Sequence, residues 1–336
     1  MYEDIKFSLW CDFLERDFIN GEFEKLIQNG TINGATSNPA IFRAAILSSK
    51  AYEQSKKILK KQSAKKIYEN LAVQDIKLAA NKLLNNYATK NDGFVSLEVD
   101  PNYANDAVAT YKEAKRLYKS VNFPNLMIKI PASKKGIAVM QKLVAKGINI
   151  NATLVFSTTQ VQDCLKAFKK GTAKFKKQFP DFEPPKCVIS VFVSRFDRML
   201  DEALKNANLP VAKFGINNAI LAYILVKQSN LSNVRVLFAS TGVKDKSLKA
   251  DYYVKELLLP NSINTAPLDT IKSFIKNKNA TPIKLPTMAN LNKFFRDTKN
   301  AGIDYDKVCE SLFDDGLKAF KLAFKEILES LKWITK

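Results

Sequence analysis

The sequence predicts a (β/α)8 (TIM) barrel with additional helices, on three observations. Eight short runs rich in apolar and β-branched residues recur along the chain, each is followed by a polar cluster, and the stretches between them carry apolar residues at helical spacing. Strand, polar turn and helix in that order are the signature of a parallel sheet covered by helices. The runs are 7–12, 34–38, 94–100, 126–131, 150–156, 187–193, 234–240 and 263–267. Examples of the helical spacing are Ile137, Met140, Leu143 and Val144 after the fourth run, and Val161, Leu165 and Phe168 after the fifth. Tyr253, Val254, Leu257 and Leu258 repeat it after the seventh. These would form the outer ring of the barrel.

A chain of 336 residues exceeds the usual length of such a barrel, and the surplus is visible as two helical stretches. One is an insertion at about 44–87, between the second and third runs. The other is a C-terminal extension at about 291–336, read as more than one helix near the barrel mouth. There Phe313, Leu317, Phe320, Leu322, Phe324, Ile327 and Leu331 offer apolar faces to the barrel. No Gly, Ser or Pro-rich linker and no internal repeat divides the chain, so 1–336 reads as one domain. A doubly wound open sheet is the competing architecture, but no GxGxxG follows a strand.

Composition removes several function classes. With 46% hydrophobic residues the chain can bury a large core. It opens without the basic and apolar regions of a signal peptide, and no apolar run approaches the roughly 18 residues of a membrane helix, so a soluble, cytoplasmic protein is expected, with no membrane partner. The scattered Cys11, Cys164, Cys187 and Cys309 form no CxxC pair and read as reduced core residues. There is no histidine, which excludes Ser-His-Asp triads, histidine metal sites and imidazole shuttles. Acid and base work falls to carboxylates, Lys, Tyr, Cys or water.

The formal net charge is +20, but its lysines come as scattered pairs such as Lys56-Lys57, Lys65-Lys66 and Lys176-Lys177 on amphipathic stretches. That pattern reads as a solvated helix surface, and a nucleic-acid partner is not expected. The aromatic residues also stand at core spacing, not interleaved with cations on a strand face.

Lys129 interrupts the apolar run of Asn125-Leu126-Met127-Ile128-Lys129-Ile130-Pro131-Ala132-Ser133. Desolvation favours a neutral amine, which attacks carbonyls to form a Schiff base. The same nonamer also fits an edge-strand lysine with its head in solvent. Other polar residues stand at or inside the C-terminal ends of the runs, which in a barrel share one mouth: Asp12, Asn38, Glu98, Asn151, Thr153, Ser190, Arg195, Ser240 and Lys244. One such residue is usually a satisfied core group, but here nearly every run has one.

Several segments together resemble the signatures of the transaldolase family. They are Gly34-Ala35-Thr36-Ser37-Asn38-Pro39, Val95-Ser96-Leu97-Glu98-Val99-Asp100, Ile128-Lys129-Ile130-Pro131-Ala132, Ile150-Asn151-Ala152-Thr153, Ser190-Val191-Phe192-Val193-Ser194-Arg195-Phe196-Asp197 and Ala239-Ser240-Thr241-Gly242-Val243-Lys244. The resemblance implies a cofactor-free and metal-free transferase of the non-oxidative pentose phosphate pathway. Such an enzyme moves a dihydroxyacetone unit from fructose 6-phosphate or sedoheptulose 7-phosphate to erythrose 4-phosphate or glyceraldehyde 3-phosphate.

It implies Lys129 as the Schiff-base lysine, Asp12 as the acid/base of carbon-carbon cleavage, and Glu98 with Thr153 as the pair that positions a catalytic water. It implies Asn38, Asn151 and Ser190 as ligands of the dihydroxyacetone unit, and Arg195, Ser240 and Lys244 as the phosphate site, with Lys244 the least secure match. A lysine at its ordinary pKa is protonated at neutral pH, so burial or neighbouring cations such as Arg195 have to favour the amine. Ala152, Ser133 and Cys11 depart from the family's commonest wording and read as packing changes. A fructose 6-phosphate aldolase of the same superfamily is the alternative, against which Glu98 and the chain length argue. Monomer and homodimer both remain open.

Overall fold

The computed structural model describes residues 2–276 and 280–332. Trp333 and the rest of the expected extension through 336 lie outside the described residues.

Eight parallel strands close in sequence order, β8 pairing back onto β1. They are β1 (Ser8–Cys11), β2 (Gly34–Thr36), β3 (Phe94–Glu98), β4 (Leu126–Pro131), β5 (Asn149–Val155), β6 (Cys187–Phe192), β7 (Val234–Ala239) and β8 (Ile263–Ala266). Every expected run contains its strand core, but most overshoot by one or two residues at the C-terminal end. There the backbones diverge into loops, so Asp12, Asn38 and Ser240 stand just beyond the ladder.

Helices α1 (Arg16–Ile19) and α2 (Glu22–Gln28) follow β1. Between β2 and β3 come α3 (Pro39–Ser48), α4 (Glu53–Leu59), α5 (Ala64–Lys82) and α6 (Leu84–Ala88). Of these, α5 packs on β3, so it supplies the ring helix, and α3 and α4 are the surplus. Single ring helices α7 (Ala107–Val121), α8 (Lys134–Val144) and α9 (Thr158–Gln178) follow β3, β4 and β5; α7 meets α5 and α8. After β6 come α10 (Ser194–Asn206) and α11 (Phe214–Gln228).

The expected helix after β7 is only a five-residue turn, α12 (Tyr252–Glu256). Leu257, Leu258 and Leu259 leave it as fully buried loop residues ahead of Pro260, which cannot continue a helix. Helix α13 (Leu268–Lys276) follows β8, and α14 (Met288–Asn300) and α15 (Tyr305–Lys332) complete the extension. Helix α15 packs on α3 and α5 and touches β5, α10 and the short turn Pro101–Tyr103 after β3, which lays it across the C-terminal mouth. Its apolar stripe includes Leu317, Phe320, Phe324, Ile327 and Leu331, but Leu322 is exposed, because two residues on from Phe320 is the opposite side of a helix.

Side chains alternate along each strand, so residues two apart face the barrel axis together. The lower interior is an apolar plug that includes Trp10, Phe94, Met127, Val188, Leu237 and Ile263. It is tight enough that a β-carbon on Gly34 would come 2.5 Å from the Trp10 indole. One step toward the C-terminal end the same alternation presents Thr36, Ser96, Glu98, Lys129, Asn151, Ser190 and Thr265, all buried. Burying each large apolar side chain stabilises by roughly 1.5–3 kcal/mol, and that plug supports a polar layer which gains little from burial.

Candidate active site

Pairing register sets Glu98, Lys129 and Asn151 abreast on β3, β4 and β5. Strand β4 lies between two others in a closed barrel, so the edge-strand reading of Lys129 does not hold. The side chain is buried, at 5% exposure, and its Nζ donates to the Ser37 carbonyl at 3.0 Å. The Glu98 Oε2 lies 3.6 Å from it, an ion pair longer than a hydrogen bond.

Among the described residues neither Glu98 carboxylate oxygen has a hydrogen-bond partner. Burial pushes the Glu98 carboxyl up to about 7, the Lys129 charge pulling it down and the Asp12 charge adding to the rise. Asp12 is raised as well, again by burial, with Lys129 and a hydrogen bond from Thr36 opposing. The Thr36 hydroxyl donates to Asp12 Oδ1 at 2.6 Å and also lies 2.6 Å from the Thr265 hydroxyl. Its single proton goes to the carboxylate, so Thr265 donates to Thr36. Lys129 thus acts on both carboxylates, whereas the charges that act on Arg195 are Arg198 and Asp315.

The neighbouring strands supply neutral polar groups. Asn151 donates to the Ser96 hydroxyl at 3.0 Å and accepts from Ser190 at 2.6 Å, which fixes both amide orientation and hydroxyl. Thr153 is fully buried, and its hydroxyl has no partner among the described residues. The next residue, Leu154, adopts φ 54° where the register of β5 against β6 shifts, a local strain of the kind that gathers at functional sites. Asn38 caps α3, its Oδ1 accepting from the Ile41 amide at 3.0 Å.

Arg195 sits in the first turn of α10, half-buried, with its guanidinium 5.1 Å over the Phe192 ring. Burial, then Arg198, lower its pKa, and Asp315 opposes them. Ser240, at φ 55°, joins this helix: its hydroxyl is 3.1 Å from that of Ser194, and its carbonyl accepts from the Ser194 amide at 3.0 Å. Lys244 is exposed on the loop after β7. Geometry thus joins Asp12, Glu98 and Lys129, joins Asn151 with Ser190, and joins Ser240 with the helix of Arg195. Sequence reasoning missed Thr36, Ser37, Ser96 and Thr265. Thr36 and Ser37 adjoin Asn38 at the end of β2, which was signal enough; nothing singled out Thr265.

The sequence model of the transaldolase/fructose-6-phosphate aldolase family matches residues 9–331. The chain belongs to that family. A transaldolase of Campylobacter jejuni (strain RM1221) is 45% identical over 335 residues, covering 97% of this chain and 99% of the relative. A transaldolase of Helicobacter pylori (strain P12) is 43% identical over 329 residues, with the same coverage. The chain is accordingly a transaldolase-type enzyme, a transferase. The family match reaches through α15, so both helical additions belong to the family fold. Among the described residues no helix is long and apolar enough to cross a membrane, and no group of three or more Cys, Asp or Glu is arranged to hold a metal ion.

Proposed function

We propose that the chain transfers a dihydroxyacetone unit between sugar phosphates through a Schiff base on Lys129. The observation that carries this reading is a buried amine facing a carboxylate with no other partner, at the end of the barrel where this fold builds its active sites. The Lys129 amine attacks the C2 carbonyl of fructose 6-phosphate or sedoheptulose 7-phosphate, and the carbinolamine loses water to give the imine. Glu98, with a pKa of about 7, can both give and accept the proton of that water near neutral pH, and the Thr153 hydroxyl, buried without a partner among the described residues, can hold it.

Asp12 takes the proton from the C4 hydroxyl, the C3–C4 bond breaks, and its electrons pass into the imine as an enamine. An aldose phosphate leaves. The enamine then attacks the acceptor aldehyde, glyceraldehyde 3-phosphate or erythrose 4-phosphate. Asp12 returns its proton to the new alkoxide, and hydrolysis of the imine frees Lys129. Asn38, Asn151 and Ser190 hold the hydroxyls of the three-carbon unit. Arg195 and Ser240 take the phosphate, a guanidinium fork suiting a dianion. Lys244 adds its charge from the loop. The whole chain, 1–336, acts as one domain, with sugar phosphates as its small-molecule partners.

Borohydride with fructose 6-phosphate should trap a dihydroxyacetone adduct on Lys129, located by peptide mass spectrometry. An adduct on another lysine, or none, refutes the assignment.

A further inference from the structure

Gly316 lies inside α15, where glycine weakens a helix relative to alanine, so its place calls for a reason in the surroundings. A β-carbon there would come 2.8 Å from Leu154 Cδ2 and 2.9 Å from Arg195 Nη1. Arg195 is thus held between the Phe192 ring and the bare backbone of α15, and Leu154, the strained residue directly after Thr153, fills the other side of the same gap. Asp315, the preceding residue of the helix, is exposed and adds a negative charge that acts on the guanidinium.

We propose that Gly316 is a positioning residue: its missing side chain sets where the Arg195 guanidinium stands, so α15 governs phosphate affinity without touching the sugar. The inference rests on the proposed role of Arg195 as phosphate ligand. Leu154 is fully buried in the core, whereas Arg195 Nη1 is the far end of a half-buried, flexible side chain, so of the two atoms a new methyl would meet it is the guanidinium that moves.

The test is Gly316→Ala, measured by turnover of fructose 6-phosphate and by borohydride trapping of dihydroxyacetone alone, which carries no phosphate and needs no phosphorylated acceptor. KM for fructose 6-phosphate should rise about tenfold, the scale of one charge-assisted hydrogen bond. The kcat and the borohydride trapping of dihydroxyacetone on Lys129 should hold within about threefold, and the melting temperature should be equal or higher. In an Arg195→Ala background the same substitution should raise KM no further, since residues acting through one contact are not additive.

An unchanged KM in Gly316→Ala overturns the inference. So do equal losses in turnover and in trapping, additivity with Arg195→Ala, or failure of the variant to fold. If Arg195→Ala itself leaves KM for fructose 6-phosphate unchanged, the phosphate-site reading fails; if it raises KM and Gly316→Ala does not, only the positioning role fails.

Discussion

Two ion pairs, one half-buried and one buried, stand at opposite ends of one barrel, and they are built differently. At the N-terminal end, beside a bowl of about 960 Å³, Arg235 and Asp92 meet at 2.6 Å. Arg235 donates further to the Ser8 hydroxyl and to the carbonyls of Lys6, Asn261 and Ser262, and Asp92 accepts the Trp10 indole at 2.9 Å. At the C-terminal end Lys129 and Glu98 are 3.6 Å apart, and Glu98 accepts no hydrogen bond among the described residues. Removing charges from water is costly, and hydrogen bonds to the remaining lone pairs offset that cost. The lower pair has those bonds and leaves nothing for a ligand to satisfy. In the upper pair Lys129 has its bond to the Ser37 carbonyl but Glu98 has none among the described residues, so a water or a substrate hydroxyl entering the mouth meets a carboxylate whose desolvation has not been compensated.

The sharpest way to break this comparison is to remove the upper pair. Lys129→Met with Glu98→Gln should abolish turnover, by at least about ten-thousandfold, while stabilising the fold at neutral pH. The sign follows from Glu98, whose carboxyl rises from 4.5 to about 7 on folding. A carboxyl raised in this way contributes stability that is fully present below pH 4.5 and lost as pH climbs through about 7. The parent should therefore lose stability relative to the double variant across that window, by something on the order of 2 kcal/mol. Denaturant unfolding at both ends of the window measures it, and a gap that stays constant or narrows would contradict the uncompensated carboxylate.

Asp92→Asn attacks the other end. It should destabilise by about 2 kcal/mol, because Arg235 keeps its charge and loses its partner, with kcat and KM unchanged within twofold. A comparable loss of activity would mean that the two ends are coupled. The smallest effect belongs to Thr153→Val, which keeps the shape and removes a hydroxyl that has no partner among the described residues. Stability should hold within about 0.5 kcal/mol, and kcat should fall about tenfold. A clear drop in melting temperature would show that the hydroxyl has a structural bond after all.

Much of the frame was legible because each strand core is a dense apolar run and the site residues follow it immediately. What the pattern could not give is the residue at which a ladder stops. Asp12, Asn38 and Ser240 fell inside the expected runs although pairing has ended there, since termination depends on where neighbouring backbones part. The company of Lys129 was equally hidden. Glu98 stands opposite it through register between strands some thirty residues apart, and periodicity carries no register. Leu257 and Leu258 imitate a helix because loop residues that seal a core are as apolar as helix faces. Gly316 was invisible for a related reason: its use lies in what approaches it across the fold.

Helix α15 follows β8 in chain order yet spans the opening that all eight strands create. The strands are therefore synthesised before the helix that covers their mouth, and its Phe324, Ile327 and Leu331 complete the same apolar core as the barrel.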